Sequence, residues 1–213
     1  MHTLLHVDSS PLYGQSVSRE LTSAFVAEWK SAHPEGTVVY RDLSATSIPP
    51  LNADWLGAAF TPSEARTPQQ EQLLACSDSL IAELEQAKEY VIGVPMHNYS
   101  VPSVMKLWID QITRVGKTFS HAGGTQKGLL HGKKATFIIA TGSIHDRRTE
   151  SPSFNFVETY LEALFDFLGL TDMAFITVIG TGVLNHGQDR NAFLAPHLQA
   201  VKAQAQVSSH MKA

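Results

Sequence analysis

Two rhythms take turns along this chain: short, nearly continuous apolar runs, and longer segments whose apolar residues recur three and four positions apart. The first marks buried strands and the second amphipathic helices. Thr3 to Val7 reads as a strand, and from about Ser18 to Ala32 the residues Leu21, Phe25, Val26 and Trp29 keep helical spacing. Thr37 to Arg41 is rich in β-branched and aromatic residues, and Pro49-Pro50 then predicts an irregular connection. Thr67, Pro68 and Gln70 form a capping-box start for a helix whose inner face is Leu73, Leu74, Leu80, Ile81 and Leu84. Tyr90 to Val94 is apolar throughout, as expected of a central parallel strand, and stops at Pro95.

A helix resumes near Ser103 with Val104, Leu107, Trp108 and Ile112, and is expected to end near Gly116 with Arg114 as a cation in its last turn. Ala135 to Ala140 is the fourth strand, Phe154 to Leu168 a helix with the stripe Val157, Leu161, Leu164, Phe165 and Leu168, Asp172 to Ile179 the fifth strand, and Arg190 onward a final helix. Five strands separated by helices predict an α/β fold, an open five-stranded parallel sheet of order 2-1-3-4-5 with helices on both faces. Residues 1–213 are expected to form a single domain. In such a sheet ligands sit at the carboxyl ends of the strands where the order reverses, which directs attention to the loops after strands one and three.

Composition narrows the field. The net charge of -4 and the lack of any Lys/Arg cluster beyond Lys133-Lys134 and Arg147-Arg148 argue against a nucleic-acid partner. No run of residues is apolar and long enough to span a bilayer, so no membrane partner is expected. One cysteine, Cys76, excludes an internal disulfide framework, and a reducing, cytoplasmic setting is the expectation. The ten histidines show no H-E-x-x-H or other ligand spacing, so no metal site is expected.

The chemistry lies in the loops. After strand one, Asp8 to Arg19 is dense in hydroxyls and opens directly into a helix. Free amides at a helix start hold an anion, and Ser10, Ser16 and Ser18 add hydroxyl donors; the alternative is that these serines only cap the helix. The stretch is neither a G-x-x-x-x-G-K-[ST] loop nor a G-x-G-x-x-G fingerprint. After strand three, Pro95 to Pro102 brackets Met96, His97, Asn98 and Tyr99 between prolines, which suits a flat heteroaromatic ring needing backbone donors along one edge. After strand four, Ala140, Thr141, Gly142 and Ser143 offer a glycine where a ring can approach the main chain. Each loop alone is compatible with an ordinary α/β connection; together at one sheet edge they point to a ligand site.

These features, with Gly116-Lys117-Thr118-Phe119, Gly128-Leu129, Gly132-Lys133-Lys134-Ala135 and Gly142-Ser143-Ile144-His145, resemble the bacterial FMN-dependent NADH azoreductase family, related to NAD(P)H quinone oxidoreductases, over nearly the whole chain. The resemblance implies a flavodoxin-like fold and one non-covalent FMN per subunit. It implies that Ser10, Ser16, Val17 and Ser18 bind the phosphate, that Met96, His97, Asn98 and Tyr99 hold the isoalloxazine, and that Ala140 to Ser143 meet its pyrimidine side. It further implies ping-pong hydride transfer from NADH or NADPH to quinones and azo compounds, Phe119 and His145 at the acceptor pocket, and a homodimer. The chain departs from the family where a Ser-Arg-Gly-Gly run commonly follows strand four and where Tyr or Phe is often found in place of His97.

Two other classes with the same sheet predict different residues. A single-electron carrier needs a strongly acidic face, which a charge of -4 does not suggest, and a receiver domain needs an acidic residue after strand three, where Pro95 stands. A G-x-S-x-G hydrolase elbow is absent.

Overall fold

A computed structural model describes residues 2–121, 124–143 and 154–210. In chain order the strands are β1 (Thr3–Asp8), β2 (Thr37–Asp42), β3 (Glu89–Pro95), β4 (Phe119–Ser120), β5 (Lys127–Gly128), β6 (Lys134–Ala140) and β7 (Asp172–Val178). The α-helices are α1 (Val17–Ala32), α2 (Ala53–Phe60), α3 (Pro68–Gln86), α4 (Ser103–Ile112), α5 (Phe156–Phe167) and α6 (Arg190–His210). The five long strands form one parallel sheet in the order β2-β1-β3-β6-β7, the predicted 2-1-3-4-5 arrangement with β4 and β5 set aside as a small antiparallel pair.

Side chains leave successive strand residues on opposite faces, and this alternation divides the core in two. Leu4, Val91 and Ile138 meet α1 and α6 through Leu21, Phe25, Trp29, Leu194 and Val201. Leu5, Ile92, Phe137 and Ile139 meet α3, α4 and α5 through Leu80, Leu84, Trp108, Ile109, Leu161 and Phe165. β1 is buried along its whole length, whereas the edge strand β2 is half-exposed. The capping box at Thr67 forms in both directions, with Gln70 N–H donating to Thr67 Oγ1 at 3.3 Å and Thr67 N–H to Gln70 Oε1 at 3.0 Å.

Two elements had too little periodicity to be read. Helix α2 has only eight residues; Asn52 caps it by accepting the Trp55 N–H at 2.8 Å, and Trp55, Ala58 and Ala59 pack on Leu74 of α3. The pair β4–β5 has two residues per strand. Helix α4 ends at Ile112 rather than near Gly116. There Thr118 Oγ1 donates to the Ile112 carbonyl at 2.6 Å and accepts the Arg114 N–H at 3.0 Å, so a side chain takes over the backbone groups another helical turn would use. Arg114 is accordingly no last-turn cation: its guanidinium is buried, ion-paired with Asp78 and hydrogen-bonded to Ser77 Oγ at 2.9 Å, tying α4 to α3.

Candidate functional site

The strand order reverses between β1 and β3, and the loops leaving these two strands part to either side of the sheet's carboxyl edge. The first loop is pinned at its root, where Ser9 donates from its N–H and its hydroxyl to the Gly93 carbonyl at 3.2 and 2.8 Å. Ser10 Oγ then accepts the Leu12 N–H, Tyr13 sits at φ 44°, and Ser16 caps α1 by accepting the Arg19 N–H at 3.3 Å. Ser16 Oγ lies 3.2 Å from Ser18 Oγ, and Ser10, Ser16 and Ser18 are all buried. Capping and ligand binding are therefore not alternatives at Ser16, because the same residue starts the helix and lines the cleft.

Behind the loop stands an ionic cluster that no local pattern announces. Arg19 donates from Nε to the Ser10 carbonyl at 2.7 Å and grips Asp42 with both terminal nitrogens at 2.6 and 3.0 Å. Tyr40 donates to Asp8 at 3.2 Å and accepts from Arg19 at 2.9 Å, while Thr22 donates to the other Asp8 oxygen at 2.9 Å. Burial pushes the Asp42 carboxyl up, but its bonds from Arg19 and the Ser44 amide together outweigh that and hold it below the usual carboxylate range. Burial likewise opposes the Arg19 charge, and Asp42 and Asp8 overcome it. The Tyr40 phenol is pushed up to about 12 by burial and by the negative charge of Asp8. With two carboxylates satisfying it, Arg19 serves to shape the loop.

The second loop is a tight hairpin. His97 and Ser100 exchange backbone hydrogen bonds at 2.9 and 3.0 Å, and Asn98 and Tyr99 between them hold φ of 49° and 67°, the left-handed pair of a type I′ turn. Met96 N–H donates to the Ala140 carbonyl at 2.8 Å, locking this loop to the one after β6. That loop is ordered in turn by Thr141, whose hydroxyl donates to the Ser143 carbonyl at 2.7 Å. The three described non-glycine residues with positive φ, Tyr13, Asn98 and Tyr99, all lie in the two loops singled out from sequence. Such backbone costs of order 1–3 kcal/mol per residue and persists where the surroundings impose it, as at binding sites.

The loops enclose a cleft of about 530 Å³ lined by Ser10, Ser16, Val17, Ser18, Met96, His97, Ala140 and Gly142 among others. An adjoining cavity of about 280 Å³ shares Met96 and Gly142 and adds Asn98, Tyr99 and Ser143. Of the predicted cofactor residues only Thr141 lines neither; it is buried and acts on the loop backbone. Phe119 also lines neither, being turned onto Phe167 at a ring distance of 5.0 Å, and His145 lies outside the described residues. Leu12, Gln15 and Pro95 complete the near walls.

A fourth loop was missed. Thr181, Leu184 and Asn185, after β7, and Arg190 at the start of α6 close the cleft on its far side. Gly182 N–H donates to the Gly142 carbonyl at 2.9 Å, and Arg190 clamps Glu20 of α1 at 2.7 and 2.9 Å. The signal available was Gly180-Thr181-Gly182 at the carboxyl end of the last strand. No carboxylate is among the described lining residues, whereas an arginine and three serines are.

Fold and site together define an α/β protein of the doubly wound kind with an anion-tolerant, half-apolar cleft at its switch point. The sequence matches the family described as having a flavodoxin-like fold over residues 2–205. It is 52% identical over 206 residues to an FMN-dependent NADH:quinone oxidoreductase of Acidobacterium capsulatum, covering 96% of this chain and 100% of that one. A Burkholderia lata protein named FMN-dependent NADH:quinone oxidoreductase 3 is 45% identical over 204 residues, covering 95% and 99%. The crystal structure of azoreductase from Bacillus anthracis str. Sterne superposes with a TM-score of 0.86 at 25% identity, over 97% of this chain and 100% of that one. The chain belongs to the flavodoxin-like family of the FMN-dependent NADH:quinone oxidoreductases.

Proposed function

We propose that this chain binds one FMN per subunit in the cleft, without a covalent bond, and transfers two electrons from NADH or NADPH to quinones and aromatic azo compounds. The carrying observation is the convergence of the serine loop, the type I′ hairpin and the glycine loop on one cleft that no described carboxylate lines. An anionic phosphate suits the serine end, where Ser10, Ser16 and Ser18 supply hydroxyls and the first amides of α1 have no acceptor within the helix. A flat ring suits the other end, where Met96, Ala140 and Gly142 present apolar surface and main chain, and the stiff turn at His97, Asn98 and Tyr99 fixes backbone groups in advance.

Bound there, FMN would supply the two-electron store needed for hydride transfer from the nicotinamide to the acceptor in ping-pong alternation. The chain's own part is to bind and orient. Ser16, Val17 and Ser18 would hold the phosphate and Asn98 and Tyr99 the ring's edge, while Thr141, which orders the Gly142 and Ser143 backbone, would keep that loop set for the ring's pyrimidine side. Donor and acceptor would enter from the open side beside Tyr99, which is half-exposed and in ring contact with Phe154 at 5.3 Å. Exposed Leu12, Tyr13 and Tyr99 around the cleft support a homodimer whose partner covers this rim. Among the described residues no helix is long and apolar enough to cross a membrane, and the single Cys76 supports a cytoplasmic setting for this chemistry.

Purification is the test. The protein is expected to be yellow, to release FMN on denaturation, and to oxidise NADH at an appreciable rate only when a quinone or azo dye is present. Protein that takes up no FMN on reconstitution, or that turns over NADH equally without an acceptor, defeats the proposal.

A further inference from the structure

At the opposite, amino-terminal edge of the sheet, His2, His33 and Glu89 converge from three separate elements. His2 precedes β1, His33 terminates α1, and Glu89 opens β3. One nitrogen of each imidazole and one carboxylate oxygen lie within 4.8 Å of one another. Three atoms so spaced share a point no more than about 2.8 Å from each, and zinc bonds to nitrogen and oxygen are about 2 Å. A shift below about 1 Å per ligand therefore closes the shell. The His2 side chain, 62% exposed, is able to supply most of it.

The surroundings of these ligands are those a metal site needs. His33 Nδ1 lies 3.1 Å from the Trp29 carbonyl, which can only accept, so the proton sits on Nδ1 and Nε2 keeps a lone pair for a cation. The indole N–H of the same Trp29 donates to Glu89 Oε2 at 3.2 Å, and Glu89 Oε1 is the oxygen that faces His2 Nδ1. That separation of 3.8 Å is beyond hydrogen-bond reach and suits two ligands of one ion. One buried tryptophan thus orients two of the three ligands. The His33 ring stacks on Trp29 at a centroid distance of 4.5 Å and meets the His2 ring at 4.7 Å in a tilted contact, which restricts both imidazoles.

We propose that His2, His33 and Glu89 bind a zinc ion, with water in the remaining position, and that the ion clamps the start of β1 to the end of α1 and the start of β3. Two imidazoles and one carboxylate favour zinc over the hard cations that prefer all-oxygen shells. The cleft lies at the other end of strands six or seven residues long, about 20 Å away, so the ion takes no part in its chemistry.

The test is isothermal titration of zinc chloride into untagged, FMN-loaded protein at near-neutral pH, after chelator treatment and desalting, with thermal melts alongside. One zinc per chain is expected, with affinity in the micromolar range or tighter and a higher melting temperature. His2→Gln and His33→Gln are each expected to weaken binding by roughly 10- to 100-fold and to abolish the thermal shift. His186→Gln, on an exposed turn after β7, is expected to change neither. Because the His2 side chain is mostly exposed, that variant keeps its fold and decides the matter even if His33→Gln does not. No binding tighter than millimolar, or zinc binding that survives both substitutions, overturns the proposal.

Discussion

Ser16 stands at the meeting point of two demands, since its hydroxyl caps α1 and also faces the cleft. Replacing Ser16 and Ser18 together by Ala removes two donors to an anion. FMN is expected to dissociate about 10- to 100-fold more readily, with folding stability lower by about 1 kcal/mol from the lost cap. Flavin retention after dialysis and a urea melt read the two effects separately, and undiminished retention rejects the assigned role. Arg19 is a different kind of residue, paired with Asp42 and holding the Ser10 carbonyl. Arg19→Met leaves Asp8 and Asp42 without their cation, and a loss of about 3–5 kcal/mol on denaturant unfolding is expected. Because the folded Asp42 carboxyl lies below its ordinary value of 3.8, its contribution is complete above that pH and is lost as pH falls through the folded value. Asp42→Asn is therefore expected to show a shallower loss of stability below about pH 4 than the parent, measured by urea unfolding across the acid range.

At the scale of elements, the hairpin after β3 depends on two left-handed residues that are not glycine. Asn98→Gly is expected to preserve FMN affinity. Asn98→Val puts a β-branched residue at φ 49°, with a strain of about 1–3 kcal/mol and FMN binding weakened by roughly tenfold or more on fluorescence titration. The β4–β5 pair is held to the end of α5 by the near-contact of two glycines: a Cβ on Gly128 would stand 2.1 Å from the Gly169 nitrogen. Gly128→Ala must push main chain from main chain, and a stability loss of about 1–3 kcal/mol in a thermal or urea melt is the expected outcome. Neither short element was legible in the sequence, because periodicity needs more residues than the two of each small strand or the eight of α2. The long strands and helices were legible to within a few residues. At α4 the boundary was set by Thr118, six residues beyond the helix end, rather than by the glycine at 116.

For the molecule as a whole, the proposed placement of FMN in a cleft beside exposed Leu12, Tyr13 and Tyr99 leads to two linked expectations. Sedimentation velocity of the loaded protein should give a dimer at micromolar concentration, and a monomer throughout would refute the homodimer. FMN at 100 times its dissociation constant should stabilise the fold by about 2.7 kcal/mol, seen as a raised melting temperature. The sheet order explains why one cleft gathers loops from residues 10 to 18, 95 to 99, 140 to 143 and 181 to 190: parallel strands deliver all their carboxyl ends to one edge.

The alternation of strand and helix, and with it the sheet and its binding edge, follows from local apolar periodicity, which any stretch of chain carries within itself. The hydroxyl loop and the Met96 to Tyr99 turn were recognisable for the same reason, since their chemistry is contiguous in sequence. What emerged only on folding is every feature built across the register: Arg19 against Asp42, Arg190 closing the cleft against Glu20, Phe119 turned onto Phe167, and His2, His33 and Glu89 gathered at the far edge. Those partners are 20 to 170 or so residues apart, and their distance in space is decided by strand order and packing, to which no short-range pattern has access.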